Sequence, residues 1–177
     1  NKNIIEKILK KNKLKIQIGG GIRSLEDIKI FLDLGVDKVI IGTTAVENTE
    51  FLRKACDRYK NKIVLSLDVR DGYIALSGWK KQTNILASEF IKKIECFGVS
   101  RIIYTDINKD GTKTGPNILD TLNFSKLTDI PVVISGGISS IDDINNIKKK
   151  SSNIEGIIVG RAIYDGTIDI KKLSKII

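Results

Sequence analysis

The sequence has no histidine and no methionine, and it contains only two cysteines, two prolines and one tryptophan in 177 residues. Cys56 and Cys96 alone exclude a disulfide-rich scaffold. Without histidine, neither a zinc ribbon of the cysteine–histidine type nor a cysteine–histidine nucleophile pair can be built from these residues. No apolar run approaches the roughly 20 residues of a membrane-spanning helix, so no membrane partner is predicted. These scarcities indicate a cytoplasmic protein.

The composition suits a single globular domain, which we expect to occupy residues 1–177. Apolar residues make up 41% and charged residues 29% of the chain, which excludes intrinsic disorder. The formal charge of +9 allows nucleic-acid binding. However, lysines far outnumber arginines and lie along whole helices without interleaved aromatic residues. This favours a compositional bias, whose diffuse positive field would still attract an anionic small molecule.

Six short segments rich in isoleucine and valine are predicted to be buried parallel strands. They are Lys15–Ile18, Lys38–Ile41, Ile63–Leu67, Arg101–Thr105, Pro131–Ser135 and Gly156–Val159. Helical periodicity fills the intervals, and further helices are predicted over Ile4–Leu9 and Ile170–Ile177. Ser24 and Ser140 each precede an acid by three residues, as helix caps do, and Ile85 is placed on the apolar face of a helix. Strict alternation predicts an α/β fold with a parallel sheet, either open and doubly wound or a (β/α)8 barrel.

An internal repeat favours the barrel. Gly20–Ser24 is echoed by Gly136–Ser140, and Ile40–Ala45 is echoed by Ile158–Ala162 at nearly the same spacing. Two copies of strand, glycine turn, helix, strand and glycine turn are typical of two related half-barrels. The short piece Ala162–Asp165 resembles the extra phosphate-binding helix that follows the last strands of a TIM barrel. We therefore expect strands 3 to 8 of a TIM barrel, preceded in a complete barrel by about 60 residues.

The glycine turns are candidate phosphate sites, because glycine lets backbone N–H groups approach an anion closely. The simple alternative is a purely structural turn. Two symmetric copies predict a ligand with a phosphate at each end, with an arginine near each copy as a charged clamp. The candidates are Gly20, Gly21, Arg23, Gly42 and Thr43 in the first copy, and Gly136, Gly137, Gly160 and Arg161 in the second.

Carboxylates follow two of the predicted strands, at the end where barrels place their active sites. Asp68 ends the third strand and is the first candidate for catalysis, against a plain strand-end role. Asp110, next to Gly111, is a second candidate or else a turn former. Trp79 lies in a polar segment, Asp71–Gln82, which is predicted to be a loop, and is expected to cover a ligand. Both cysteines are expected to be buried structural thiols on helices.

Several motifs together resemble the ProFAR isomerases of histidine biosynthesis. The resemblance covers the whole chain and lacks only the family's first two β/α units. The motifs are Ile18-Gly19-Gly20-Gly21-Ile22-Arg23-Ser24, Val39-Ile40-Ile41-Gly42-Thr43, Ser66-Leu67-Asp68-Val69-Arg70-Asp71-Gly72, Gly78-Trp79, Tyr104-Thr105-Asp106-Ile107-Asn108-Lys109-Asp110-Gly111-Thr112, Ser135-Gly136-Gly137-Ile138-Ser139-Ser140 and Val159-Gly160-Arg161-Ala162.

The resemblance implies an Amadori rearrangement of a bisphosphorylated imidazole carboxamide ribonucleotide, without metal or organic cofactor. A general acid opens the ribose ring, and a general base removes the C2 proton of the resulting Schiff base. The family's acid matches Asp68, its Thr-Asp-x-x-x-Asp-Gly motif matches Thr105 and Asp110, and Asp110 has a rival claim to donate the proton. Trp79 would stack on the substrate. A monomer is implied for the complete barrel.

The family's base is an aspartate on strand 1, so this chain alone is expected to be poorly stable and nearly inactive. Three alternatives stay open at this point. They are the sister cyclase, imidazole glycerol phosphate synthase; an isomerase with added activity on the equivalent tryptophan-pathway substrate; and a non-catalytic anion or nucleic-acid binder. Thr114-Gly115-Pro116-Asn117 favours the isomerase over the cyclase.

Overall fold

Strands and helices alternate along the chain in a computed structural model, which describes residues 2–11, 13–150 and 153–174. The strands are β1 (Gln17–Gly19), β2 (Lys38–Ile41), β3 (Ile63–Arg70), β4 (Tyr73–Leu76), β5 (Lys81–Leu86), β6 (Arg101–Asp106), β7 (Val132–Ser135) and β8 (Ile154–Ile157). The helices are α1 (Lys2–Lys11), α2 (Leu25–Asp33), α3 (Thr43–Glu47), α4 (Thr49–Arg58), α5 (Ala87–Ile94), α6 (Ile118–Ser125), α7 (Ile141–Lys150), α8 (Arg161–Tyr164) and α9 (Ile170–Leu173), and a 3-10 turn covers Glu95–Phe97.

Six of the strands pair in parallel, in the spatial order β1-β2-β3-β6-β7-β8. The sheet curls as part of a TIM barrel does, which confirms the predicted α/β fold class. The two outermost strands are displaced from the predicted segments, since β1 starts two residues later and β8 two residues earlier. A run of apolar residues predicts that a strand exists, but the first and last residues of the strand depend on its pairing with a neighbour. Strand β1 begins at Gln17 because its pairing with β2 begins there, opposite Lys38. The predicted last helix is observed only over Ile170–Leu173, and residues 175–177 lie outside the described part.

The prediction of a loop over Asp71–Gln82 is wrong. Strands β4 and β5 form an antiparallel hairpin there, and β4 pairs with the end of β3, with Asp68 opposite Ala75. A tight Asp71–Gly72 turn, with φ of 53° and 81°, joins β3 to β4. Asp-Gly between two strands is a strong signal for a β-hairpin. The prediction missed it because it assumed strict alternation of strands and helices. Ile85 accordingly lies in β5 and not on a helix.

Apolar side chains of the sheet and of its covering helices form the core. Ile63 and Leu65 of β3, Leu52 of α4 and Ile91 of α5 are fully buried. Cys56 is also buried, as predicted, and burial raises the pKa of its thiol to about 12. The same prediction for Cys96 is wrong. This thiol is exposed, and it lies in the 3-10 turn that follows the end of α5.

Both predicted serine caps are present and have the same geometry. The Asp27 N–H donates to the Ser24 hydroxyl over 3.1 Å, and the Asp27 carboxylate accepts from the Ser24 N–H over 3.0 Å. Ser140 and Asp143 exchange the same two bonds over 3.1 and 2.9 Å. These reciprocal bonds satisfy N–H groups that the first turn of a helix leaves unpaired. They place the two glycine turns at equivalent points of the repeat.

Candidate active site

Two cavities open at the carboxyl ends of the parallel strands. The large cavity, of about 820 Å³, lies beyond β1, β2 and β3, and the small cavity, of about 60 Å³, lies beyond β7 and β8. The large cavity is lined by Gly19, Gly20, Gly21, Ile22, Arg23, Ile40, Gly42, Thr43, Thr44, Glu47, Ser66, Asp68, Ser77 and Gly78. The small cavity is lined by Asp110, Gly111, Lys113, Ser135, Gly136, Gly137, Ile138, Ile158, Gly160 and Arg161.

The first copy of the repeat gathers its predicted residues at the large cavity. Gly20 and Gly21 have φ of 101° and 70°, and a Cβ atom added to either would meet no atom within 4 Å. Arg23 lines the same space, and Gly42 and Thr43 face it from the start of α3. The turn is therefore open, with room for a ligand beside the glycine backbone.

The second copy has the same backbone but crowded surroundings. Gly136 and Gly137 have φ of 95° and 81°. A Cβ on Gly136 would lie 2.6 Å from the Asp106 carbonyl oxygen, and a Cβ on Gly137 would lie 2.6 Å from the Gly115 carbonyl oxygen. Both positions therefore require glycine for close packing as well as for conformation. The loop from β6 to α6 fills the space that the first copy leaves open.

Arg161 lies at the small cavity, but protein groups engage its guanidinium. Its Nη1 donates to the Gly111 carbonyl over 2.7 Å, and its Nε lies 3.3 Å from an oxygen of Asp165. Lys113 Nζ donates to the same Asp165 oxygen over 2.7 Å. No local pattern in the sequence placed Lys113 and Asp165 at this site, because 52 residues separate them along the chain. Together these contacts tie the β6–α6 loop to α8.

Asp68 lies near the end of β3 and lines the large cavity. The indole Nε1 of Trp79 donates to its Oδ2 over 2.9 Å, and Thr105 pairs with it across β3 and β6. Burial raises the pKa of this carboxyl above its usual value. The hydrogen bonds from Trp79, Thr105 and Ser66 oppose the rise, and the charge of Asp110 adds to it. A carboxyl shifted in this direction retains a proton at a higher pH than an ordinary one.

Asp110 is held in the loop that follows β6. Its N–H donates to the Asp106 carbonyl over 3.0 Å, and it lines the small cavity. Asp106 itself is buried, and it accepts bonds from the Asn108 N–H over 2.9 Å and from Asn117 Nδ2 over 2.8 Å. Asp106 thus anchors the loop that carries Asp110. Both partners of the Asp106 carboxylate are amide N–H groups.

The tip of the β4–β5 hairpin closes one side of the large cavity. The Ser77 N–H donates to the Thr43 hydroxyl over 2.9 Å, a contact between segments that the sequence did not connect. Trp79 is 39% exposed and has a φ of 70°. The tip therefore brings Trp79 over Asp68 and Ser77 over Thr43.

Among residues 2–11, 13–150 and 153–174, no group of three or more histidine, cysteine, aspartate or glutamate residues is arranged to hold a metal ion. The helices in the same part of the chain are all too short or too polar to cross a membrane.

Comparison with known proteins gives a consistent set of relatives. A family model described as histidine biosynthesis protein matches residues 1–169. A protein of Pelagibacter ubique is 51% identical over 99% of this chain and 73% of its own length. Relatives from Thermodesulfovibrio yellowstonii and Desulfatibacillum aliphaticivorans are each 43% identical, over 98% and 96% of this chain and 70% and 68% of their own lengths. All three are named 1-(5-phosphoribosyl)-5-((5-phosphoribosylamino)methylideneamino)imidazole-4-carboxamide isomerase.

Proposed function

Since the chain belongs to the histidine biosynthesis protein family and is an aldose–ketose isomerase of that pathway, we propose that Asp68 is the general acid of its reaction. The observation that carries this assignment is the position of Asp68. It lies in the large cavity beside the open glycine turn, and burial raises the pKa of its carboxyl. An acid must hold a proton when the substrate arrives, and this environment favours the protonated form.

The name of the relatives contains two phosphoribosyl groups, and we propose a bisphosphorylated imidazole carboxamide ribonucleotide as the substrate of this chain. Two cavities at the same end of the sheet, each with a glycine turn and an arginine, support one phosphate at each. The proposed contacts are Gly20, Gly21, Arg23, Gly42 and Thr43 for the first phosphate, and Gly136, Gly137, Gly160 and Arg161 for the second.

The chemistry proposed is an Amadori rearrangement. Asp68 protonates the ribose ring oxygen, the ring opens to a Schiff base, and loss of the C2 proton to a base gives the enolamine that becomes the aminoketose. The Thr105 hydroxyl orients the Asp68 carboxyl from the adjacent strand. Asp110 is the rival acid, and its negative charge also favours the protonated form of Asp68. Trp79 stacks on the substrate above this site.

The remaining properties are proposed on the same basis. Residues 1–177 belong to one barrel domain, the complete barrel is a cytoplasmic monomer, and it uses neither a metal nor an organic cofactor. Its positive charge serves an anionic substrate and not specific nucleic-acid recognition.

The Asp68→Asn variant, made in a complete barrel, tests the acid assignment and has the largest expected effect. We expect turnover of the bisphosphorylated aminoaldose to fall by about 10²–10⁴-fold, because an amide cannot deliver the proton. Substrate affinity, measured by the emission of Trp79, should stay within about tenfold, which corresponds to about 1.4 kcal/mol. Single-turnover measurements with enzyme in excess keep a slow rate measurable.

Asp33→Asn on α2 is a matched control, since Asp33 is exposed and pairs only with Lys29 on its own helix among the contacts described. It should leave turnover unchanged. If Asp68→Asn retains turnover and Asp110→Asn loses it, the acid is Asp110.

A further inference from the structure

The tip of the β4–β5 hairpin has an unusual backbone. Ser77, Gly78 and Trp79 have φ of 56°, 64° and 70°, so three successive residues occupy the left-handed region. Glycine adopts this conformation readily, whereas serine and tryptophan do so at a cost. Such a segment persists only where contacts hold it, and strained residues of this kind concentrate at sites that move or bind.

Two hydrogen bonds hold the tip, and both acceptors line the large cavity. The Ser77 N–H donates to Thr43 Oγ1 over 2.9 Å, and Trp79 Nε1 donates to Asp68 Oδ2 over 2.9 Å. Trp79 is too exposed to be kept in place by burial alone. A ligand that fills the large cavity beside Thr43 and Asp68 therefore displaces the tip only by breaking these two bonds.

The indole bond also acts on the proton of Asp68. An N–H group stabilises a carboxylate more than a carboxylic acid, so Trp79 favours the ionised form. Thr105 and Ser66 act in the same direction, while burial and the charge of Asp110 favour the protonated form. Arg23 and Glu47 are the other charged residues that line the large cavity. Release of Trp79 removes a bond to the ionised form and leaves burial and Asp110 in place.

Resting on the proposed role of Asp68 as the acid, we propose that Trp79 is a positioning residue whose indole N–H favours the ionised form of Asp68 in the free protein and is released when substrate displaces the hairpin tip from Thr43. Once Trp79 is released, burial and the charge of Asp110 favour the protonated carboxyl, which delivers its proton to the ribose oxygen. When the indole stacks on the substrate, its N–H leaves Asp68. Substrate binding and protonation of Asp68 are thereby coupled through the Trp79 side chain.

The test follows the Asp68 carboxyl by NMR of protein with 13C-labelled aspartate, over a pH titration of the ligand-free chain. In Trp79→Phe the titration midpoint of Asp68 should move to higher pH, because the N–H donor is lost. Thr43→Val, which removes the hydroxyl that holds Ser77, should shift it in the same direction by less. In the wild type, the emission of Trp79 should titrate with the Asp68 midpoint, and this step should vanish in Asp68→Asn.

Thr83→Val is the matched control for a loosened hairpin. Thr83 donates to the Ile74 carbonyl over 2.7 Å within the same hairpin, away from both cavity contacts. It should leave the Asp68 midpoint where it is, and thermal unfolding of each variant verifies folding.

An unchanged midpoint in Trp79→Phe overturns the inference, whatever the activity of Asp68→Asn. An unchanged midpoint in Thr43→Val overturns the link to Thr43. Conversely, if Asp68→Asn keeps turnover while Trp79→Phe shifts the midpoint, the acid assignment fails and the indole–carboxyl linkage stands. The two proposals can therefore fail separately.

Discussion

The two glycine turns have nearly the same backbone and very different surroundings. Gly42 and Gly160, which end the corresponding units, also agree, with φ, ψ of −114°, −101° and −105°, −99°. Yet the first turn faces a cavity of about 820 Å³ and the second one of about 60 Å³. The repeated sequence therefore determines conformation, while loops outside the repeat determine access.

The difference in crowding between the two glycine turns predicts that a glycine-to-alanine substitution destabilises the protein more in the second turn than in the first. This is the largest effect that we expect from the comparison of the two turns. Gly136→Ala should lower the free energy of unfolding by about 3 kcal/mol, since it combines backbone strain with a 2.6 Å approach to the Asp106 oxygen. Gly20→Ala meets no atom within 4 Å and should cost only about 1 kcal/mol of strain. Urea unfolding measures both, and equal losses would contradict the difference in crowding.

For the serine helix caps of the two copies of the repeat we expect the opposite result, which is an equal loss of stability when either cap is removed. Ser24→Ala and Ser140→Ala should each lower the free energy of unfolding by about 1 kcal/mol, because each removes the same bond to a first-turn N–H. Ser88→Ala inside α5 is the control and should not destabilise the protein. A clear inequality between the two caps would show that crowding reaches beyond the glycine turns.

The smallest expected effect concerns access to the second turn. Asp165→Asn removes the carboxylate that engages Lys113 and Arg161, so both cations become available to an anion. Because solvent screens these exposed ion pairs, the gain is small, and we expect at most about fivefold tighter binding of inorganic phosphate.

Calorimetry in an Arg23→Ala background isolates the small cavity for this measurement. Asp33→Asn in that background is the control and should change nothing. Weaker binding in Asp165→Asn would mean that the Lys113–Asp165 contact shapes the phosphate site instead of competing with it.

Local patterns predicted most of the fold and part of the site. Apolar runs located the parallel strands, serine–acid spacing located both caps, and the position of Asp68 after an apolar strand placed it at the cavity. The isomerase resemblance is confirmed by the family match together with the relatives that are named as the isomerase. Contacts between segments that are distant in sequence could not be predicted from local patterns. Ser77 meets Thr43, and Arg161 meets Gly111, only because the folded sheet brings their loops together.

The two thiols have a consequence for chemical labelling. Cys56 is buried, and burial raises its pKa to about 12, so almost no reactive thiolate is present near neutral pH. Cys96 is exposed on the 3-10 turn that follows α5. An alkylating probe therefore modifies Cys96 in the folded protein and reaches Cys56 only after unfolding, so the number of labelled thiols reports directly on the folded fraction.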